Sequence, residues 1–180
     1  MQDDRQLMNS FKQGDKESFE RLIVKYRSNA EAFARQYIFD AYVAEDIVQE
    51  SFAEIYVGRD RYDDRYSFKT YLFSIIKNKC IDYLRKKRPI SLDSIWETAC
   101  FLPSYMHTPE DAYLYAEEAR LLRSRLKELK EDYRTVLYLT ELEEMSHKEA
   151  AKIMGKNTAQ IKILVYRARQ KLKGLLEKEV

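Results

Sequence analysis

The sequence predicts an all-α protein: two small helical domains joined by a flexible linker, the C-terminal one a helix-turn-helix. Three observations carry this expectation. Only four glycines and three prolines occur in 180 residues, too few for the many tight turns of a β protein. Apolar residues recur at helical spacing through most of the chain. Ser146 and Glu149 have the spacing of a capping box, and Gly155 follows where a short helix must end before another begins. A chain of this length can bury two modest cores.

In chain order, Gly14-Asp15 separates a short first helix from a longer one. Asp15 is the expected N-cap, and Phe19, Leu22, Ile23, Tyr26, Ala30, Phe33 and Tyr37 form the apolar stripe. The next helix, 43–56, turns Ala44, Ile47, Val48, Phe52 and Ile55 to one side. Asp46, Gln49, Glu50 and Ala53 then make a second stripe at i, i+3, i+4, i+7. Residues 58–67 are polar and aromatic without periodicity, a loop closing at Ser67 as the next cap.

The helix 68–87 keeps Leu72, Ile75, Ile76, Cys80, Tyr83 and Leu84 apolar and carries Lys77, Lys79, Arg85, Lys86 and Lys87. Pro89 ends it, and residues 89–112 read as the linker. A second domain, 113–180, opens with Tyr113, Ala116, Ala119, Leu122, Leu126 and Leu129 on one helix and Tyr133, Val136, Leu137 and Leu142 on the next. The helix-turn-helix follows. Ala150 and Ala151 permit close approach, Ile161 plugs the joint, and Ile161, Leu164, Val165, Ala168 and Leu172 share a face amid Lys162, Arg167, Arg169, Lys171 and Lys173.

The net charge of +2 conceals segregation. The stretches from Lys77 to Arg88 and from Lys148 onward are basic, and the stretch from Asp40 to Glu54 is acidic. Cys80 and Cys100 lack metal or redox spacing, and His107 and His147 lie far apart, so neither a metal site nor a cofactor is expected. No phosphate-binding glycine loop or nucleophile–base pair is present, so an enzyme, a nuclease included, is the least favoured reading. No leader is visible, and no apolar run approaches the roughly 20 residues of a membrane span. The expectation is a cytoplasmic protein without membrane insertion.

Each functional surface has two readings at this level. The acidic stripe is a solvated face or a protein interface. The rings of Tyr62, Tyr66, Phe68, Tyr71, Phe73 and Tyr83 are core, the reading favoured for Phe73 and Tyr83, or they are platforms for unpaired bases beside phosphate-binding cations. The C-terminal basic helix is a solvated helix in an unrelated bundle or a reader of duplex DNA, as in an ordinary helix-turn-helix regulator.

Four segments in order resemble a known family, the bacterial sigma factors of the extracytoplasmic-function class. They are Ala44-Glu45-Asp46-Ile47-Val48-Gln49-Glu50-Ser51-Phe52; Phe68 to Asn78 with Asp82-Tyr83-Leu84-Arg85; Tyr133-Arg134-Thr135-Val136-Leu137; and Tyr166-Arg167-Ala168-Arg169-Gln170-Lys171-Leu172 around the helix-turn-helix. The resemblance implies that residues 1–88 are region 2 and 113–180 region 4. It implies that Asp46, Gln49, Glu50 and Ala53 bind the coiled coil of the polymerase's largest subunit, with the flap region as a further contact. Tyr62, Asp63, Asp64, Tyr66 and Asn78 would form a pocket for a base flipped from the minus-ten element, and Lys77, Arg85, Lys86 and Lys87 would hold its backbone. Thr158, Gln160, Lys162, Ile163, Tyr166 and Arg167 would read the minus-thirty-five duplex. An anti-sigma factor, often membrane-anchored, is the further partner implied.

Two positions depart from the family pattern. Tyr71 stands where many members have tryptophan, a change expected to preserve packing. Ile163 and Leu164 stand where members carry polar or basic residues. Leu164 is expected to pack between helices, and Ile163 to face DNA and meet a thymine methyl.

Overall fold

A computed structural model describes residues 3–38, 40–86, 125–126 and 128–177. The chain divides into two compact units, 1–90 and 91–180. The division falls inside the segment expected as a linker, and residues 87–124, including Lys87, Trp96, Cys100 and most of the first expected helix of the second domain, lie outside the described ones.

In the N-terminal unit, α1 (Asp4–Lys12) and α2 (Lys16–Ala34) meet at a turn in which Gly14 adopts φ +106°. Asp15 caps α2 as expected. Its Oδ1 accepts from the amides of Glu17 and Ser18 at 3.1 and 3.4 Å, and the Ser18 hydroxyl, donating at 2.6 Å, holds the carboxyl below the ordinary aspartate range. Along α2, Phe19, Leu22, Tyr26, Ala30 and Phe33 are buried and Ile23 is half-buried. The expected stripe outlasts the helix: Tyr37 is 1 % exposed, but it sits in the turn after Ala34.

Helix α3 (Ala41–Val57) starts two residues earlier than the periodicity indicates, because Asp40 caps it by accepting from the amides of Tyr42 and Val43 at 2.9 and 3.3 Å. Ala44, Ile47, Val48, Phe52 and Ile55 are all buried. A single 3₁₀ turn, Arg59–Arg61, begins the connection to α4 (Phe68–Lys86), whose start is capped by Ser67 Oγ accepting from the Thr70 amide at 3.2 Å. On α4, Leu72, Phe73, Ile76 and Cys80 are buried, while Ile75, Tyr83 and Leu84 are half-buried. The core is rich in aromatic pairs. Phe33 stacks on Phe73 and Phe11 on Phe19, each at 4.5 Å between centroids. Burial pushes the Cys80 thiol up to about 12, so it is a packing residue rather than a nucleophile.

In the C-terminal unit, α5 (Glu131–Leu137) runs into a wider π turn, Tyr138–Leu142. Leu142, expected on the same apolar stripe, is 47 % exposed. Five residues past Leu137 is about 140° round an α-helix, and Leu139 takes the inward position with no exposure. The buried pair Tyr138 and Glu143, whose hydroxyl and carboxylate meet at 2.9 Å, closes the turn.

Helix α6 (His147–Met154) begins with the capping box read from the sequence. Ser146 Oγ accepts from the Glu149 amide at 3.3 Å, and Glu149 Oε2 accepts from the Ser146 amide at 3.1 Å. Gly155 ends it at φ +65°. A second capping box opens α7 (Thr158–Leu176): Asn157 and Gln160 exchange amide bonds of 2.8 and 2.9 Å. Ile161, Val165, Ala168 and Leu175 turn inward, with Leu164 and Leu172 half-buried, and α7 packs on α5 and α6.

No atom lies within 4 Å of a Cβ built on Gly155, so its requirement is conformational alone. Gly155→Ala is therefore expected to cost about 1 kcal/mol through the left-handed backbone, with Gly155→Asn costing less, as read by chemical denaturation.

Candidate nucleic-acid and protein interfaces

The period of α3 puts Asp46, Gln49, Glu50 and Ala53 on the side away from the core, and all four are exposed. Their neighbours are ordered by ion pairs. Arg27 of α2 reaches Glu45 at 2.7 Å, Glu45 accepts from Gln49 Nε2 at 3.3 Å, and Lys79 of α4 lies 3.7 Å from Glu50 and 3.0 Å from Glu54. Beside the stripe, between α2 and α3, runs a groove of about 520 Å³ lined by Ile23, Val48, Phe52, Ala53, Tyr56 and Val57. Val57 is 86 % exposed. Periodicity alone does not reveal this apolar margin; its signal in the sequence is Val57, an aliphatic residue at the helix end off the Ala44–Ile55 stripe.

The segment 62–66 separates its aromatic residues into two roles. Tyr62 is 5 % exposed, its ring edge-on to Tyr71 at 5.4 Å and its hydroxyl donating to the Tyr66 carbonyl at 2.9 Å. Burial raises its pKa. The ring expected to line a base pocket thus belongs to the core and supports the loop from below. Tyr71, in the tryptophan position, completes that packing. Tyr66 is half-exposed and Asp64 exposed.

Asp63 is engaged locally, accepting from the Arg65 amide at 3.0 Å and from its guanidinium at 2.7 Å. From α1, Arg5 donates to the Asp64 carbonyl at 2.7 Å and Lys12 to the Tyr62 carbonyl at 2.9 Å. On α4, Asn78, Arg85 and Lys86 are exposed and Lys77 is half-buried. Arg85 lies 3.6 Å from Asp82.

In the second unit, Thr158, Gln160, Lys162, Ile163, Tyr166 and Arg167 all lie on the exposed side of α7. Ile163 is 53 % and Tyr166 66 % exposed, large apolar groups held in water on a helix that has a well-filled opposite face. Gln160 has less freedom than expected, since its carbonyl oxygen accepts from the Asn157 amide in the cap. Leu164 is half-buried, in keeping with a packing position. Not every cation on α7 is available. Arg169 reaches back to Glu141 at 2.7 Å, tying α7 to the π turn and holding the Glu141 carboxyl below its ordinary range. Among the described residues no cluster of His, Cys, Asp and Glu is arranged to hold a metal, and no helix is long and apolar enough to cross a membrane.

Comparison with known proteins coincides with this division. The family Sigma-70 region 2 matches residues 22–90, and Sigma-70, region 4 matches residues 119–172. The ECF RNA polymerase sigma factor SigW of Bacillus subtilis is 30 % identical over 92 % of this chain and 92 % of its own length. The chain belongs to the ECF RNA polymerase sigma factors. Such a factor directs RNA polymerase to promoters and is an initiation factor. The RNA polymerase sigma-H factor of Pseudomonas aeruginosa is 29 % identical over 97 % of this chain and 94 % of its own. Among solved structures, CnrH in complex with the cytosolic domain of CnrY matches with TM-score 0.70 and 25 % identity, covering 98 % of this chain and 99 % of that one. Another match is the sigma factor RpoE of Bartonella quintana, in complex with the anti-sigma factor NepR, at TM-score 0.68 and 23 % identity over 90 % and 98 % of the two chains.

Because the Tyr62 hydroxyl sits on a loop carbonyl inside this sigma factor, Tyr62→Phe should lower stability by about 1 kcal/mol. Asn78→Ala, on an exposed position, should stay within about 0.5 kcal/mol of the parent. Urea denaturation of the two variants checks the contrast.

Proposed function

We propose that the promoter is gripped at two places, with the polymerase held by a third surface. The exposed stripe of Asp46, Gln49, Glu50 and Ala53, with the apolar groove beside it, binds the coiled coil of the polymerase's largest subunit. Residues Asp63, Asp64, Tyr66 and Asn78 receive a base flipped from the non-template strand of the minus-ten element. Tyr62 supports them from within the core, and Lys77, Arg85, Lys86 and Lys87 hold the strand's backbone. The outer side of α7 enters the major groove of the minus-thirty-five element. Lys162 and Arg167 meet phosphates or base edges, Ile163 meets a thymine methyl, and Thr158, Gln160 and Tyr166 complete the contacts.

The observation that carries this reading is the separation of faces. In the first unit, α3 exposes an acidic row while α4 exposes amide and basic groups, and the loop before it presents Tyr66 with both carboxylates and guanidinium groups. Those are unlike chemistries suited to protein and to nucleic acid. Unpairing and flipping a base costs a few kcal/mol, which a preformed pocket offsets while reading the base. The chain contributes binding energy in the cytoplasm; bond-making stays with the polymerase. By analogy with CnrH, which was solved with the cytosolic domain of CnrY, we infer that an anti-sigma factor covers these surfaces when transcription is not required.

Transcription in vitro with core polymerase on a randomised promoter library tests the reading and defines both elements. Failure to select any promoter would overturn it. Asp46→Lys with Glu50→Lys should weaken core association tenfold or more, about 1.4 kcal/mol. Asn78→Ala should slow open-complex formation with core association intact; equal loss of both would indicate misfolding.

Neutralising Lys162 and Arg167 to Gln should weaken duplex binding. It should also flatten the dependence of log affinity on log salt by about 0.9 for each phosphate that is no longer neutralised, measured by fluorescence anisotropy across a salt series.

A further inference from the structure

Within the loop 62–66 the Tyr62 hydroxyl donates to the Tyr66 carbonyl, the Tyr66 amide makes a long 3.4 Å bond to the Asp63 carbonyl, and Asp63 accepts from Arg65. Its first residue is anchored by the Tyr62 ring, packed on Tyr71 and Phe68, and by the Tyr62 amide donating to the Arg59 carbonyl at 3.4 Å; two further side-chain bonds to its backbone carbonyls come from α1, at the start of the chain. Lys12 Nζ donates to the Tyr62 carbonyl at 2.9 Å and lies 5.3 Å from the centre of the Tyr62 ring. Arg5 Nη2 donates to the Asp64 carbonyl at 2.7 Å, and its Nε lies 3.9 Å from the Asp64 carboxylate. Arg5 and Lys12 are seven residues apart, two turns of α1, and so share one side of the helix.

That helix is itself immobilised. Leu7, Met8 and Phe11 are buried, Phe11 stacks on Phe19, and Arg59 lies 5.8 Å from the centre of the Phe11 ring. The Asp4 carboxylate accepts from the Tyr26 hydroxyl and pairs with Lys25 at 2.5 Å, so α1 is tied to α2 at its first turn as well. α1 also precedes residue 22, where the match to region 2 begins.

We propose that Arg5 and Lys12 are positioning residues for minus-ten base capture. They hold the Tyr62 and Asp64 carbonyls so that the loop is in its receiving conformation before DNA arrives. This inference rests on the base-capture reading above. Ordering a short loop at the moment of binding costs affinity; ordering it beforehand removes that cost from the encounter. Each cation meets a backbone carbonyl, so the effect does not depend on which side chain reads the base. A Lys or Arg acting directly on DNA phosphate would behave differently. Its loss would weaken every strand alike and reduce the salt dependence.

The test uses holoenzyme assembled from the full chain and core polymerase, with a fluorescent single-stranded non-template oligonucleotide spanning a minus-ten element selected from the randomised library. The strand is used intact and with an abasic site at each position in turn. The wild type should lose about tenfold affinity at one position, the captured base. In Arg5→Ala/Lys12→Ala the intact strand should fall to the affinity of the abasic strand, while the abasic strand binds as before and core association is unchanged. Arg5→Lys/Lys12→Arg should restore most of the discrimination. In the free chain, hydrogen exchange should accelerate at amides 62–66 and stay constant within α2 and α3.

Retention of wild-type discrimination by the double alanine variant would overturn the inference while leaving base capture standing. So would equal weakening of intact and abasic strands. A wild type with no abasic penalty at any position would instead overturn base capture, and the inference with it. Should the double variant unfold, Arg5→Ala alone, whose contacts are solvent-exposed, must still reduce discrimination, and its failure to do so would equally reject the proposal.

Discussion

Phe33 and Phe73 stack with centroids 4.5 Å apart and planes 10° from parallel, and neither ring reaches solvent. That contact sets the roll of α4 on α2. With Phe73 inward, Leu72, Ile76 and Cys80 must follow it, and Asn78, Arg85 and Lys86 are left outside. Each large apolar side chain buried contributes about 1.5–3 kcal/mol, so rolling the helix by one position to hide Asn78 would expose several of them at once. α3 is held in the same way by Ile47, Val48, Phe52 and Ile55. The surfaces proposed to meet other molecules are the remainders of a packing problem solved on the opposite faces.

The second unit obeys the same constraint with a smaller core. Ile161, Val165 and Ala168 face α5 and α6, and the positions between them carry Lys162, Ile163, Tyr166 and Arg167 outward. The Arg169–Glu141 pair adds a lateral tie from α7 to the π turn. Exposed ion pairs contribute little stability. The consequence of this one is directional: a cation that composition alone would count toward a DNA surface is turned to a neighbouring carboxylate. Ile163 is the reverse case, an apolar side chain left outside where kinship leads one to expect a polar reader. Its exposure is compatible with contact to a methyl group and with no hydrogen-bonded readout at that position.

How far the sequence discloses this depends on the range of the interaction. Local devices are legible: the Asp15 cap, the Ser146–Glu149 box, the left-handed Gly155 and the inward rows of α2, α3 and α7 all act within four residues, and the structure shows each. Two local devices are not. The Asn157–Gln160 box is masked by the DNA role that kinship assigns to Gln160. The π turn at 138–142 has no compositional mark, so periodicity places Leu142 in the core. Asp46, Gln49, Glu50 and Ala53 are legible as a row because period alone produces it. Tyr62 is legible only as one of two readings, core or base platform. Nothing in a polar loop marks one tyrosine as pointing inward, and its partners Phe68 and Tyr71 come from the helix beyond. The bonds from Arg5 and Lys12 span 59 and 50 residues, a separation at which spacing carries no information.

Arg5, together with a local pair, also bears on an electrostatic difficulty in the proposed pocket. Two adjacent carboxylates, Asp63 and Asp64, beside a polyanionic strand would repel it, and a Debye length of about 8 Å at physiological salt does not screen groups in contact. Each carboxylate has an arginine. Arg65 meets Asp63 at 2.5 Å, and Arg5 lies 3.9 Å from Asp64. The pairs differ in tightness, and the difference matters. Asp63 already accepts from both the amide and the guanidinium of Arg65, so fewer of its lone pairs remain for a base. Asp64, with its carbonyl rather than its carboxylate taking the short bond, keeps its carboxylate oxygens available as acceptors for an exocyclic amino group of a captured base. A cation that neutralises without occupying lets a carboxylate read a base beside phosphates. The geometry of Arg5 leaves Asp64 that freedom, whereas Arg65 leaves Asp63 less of it.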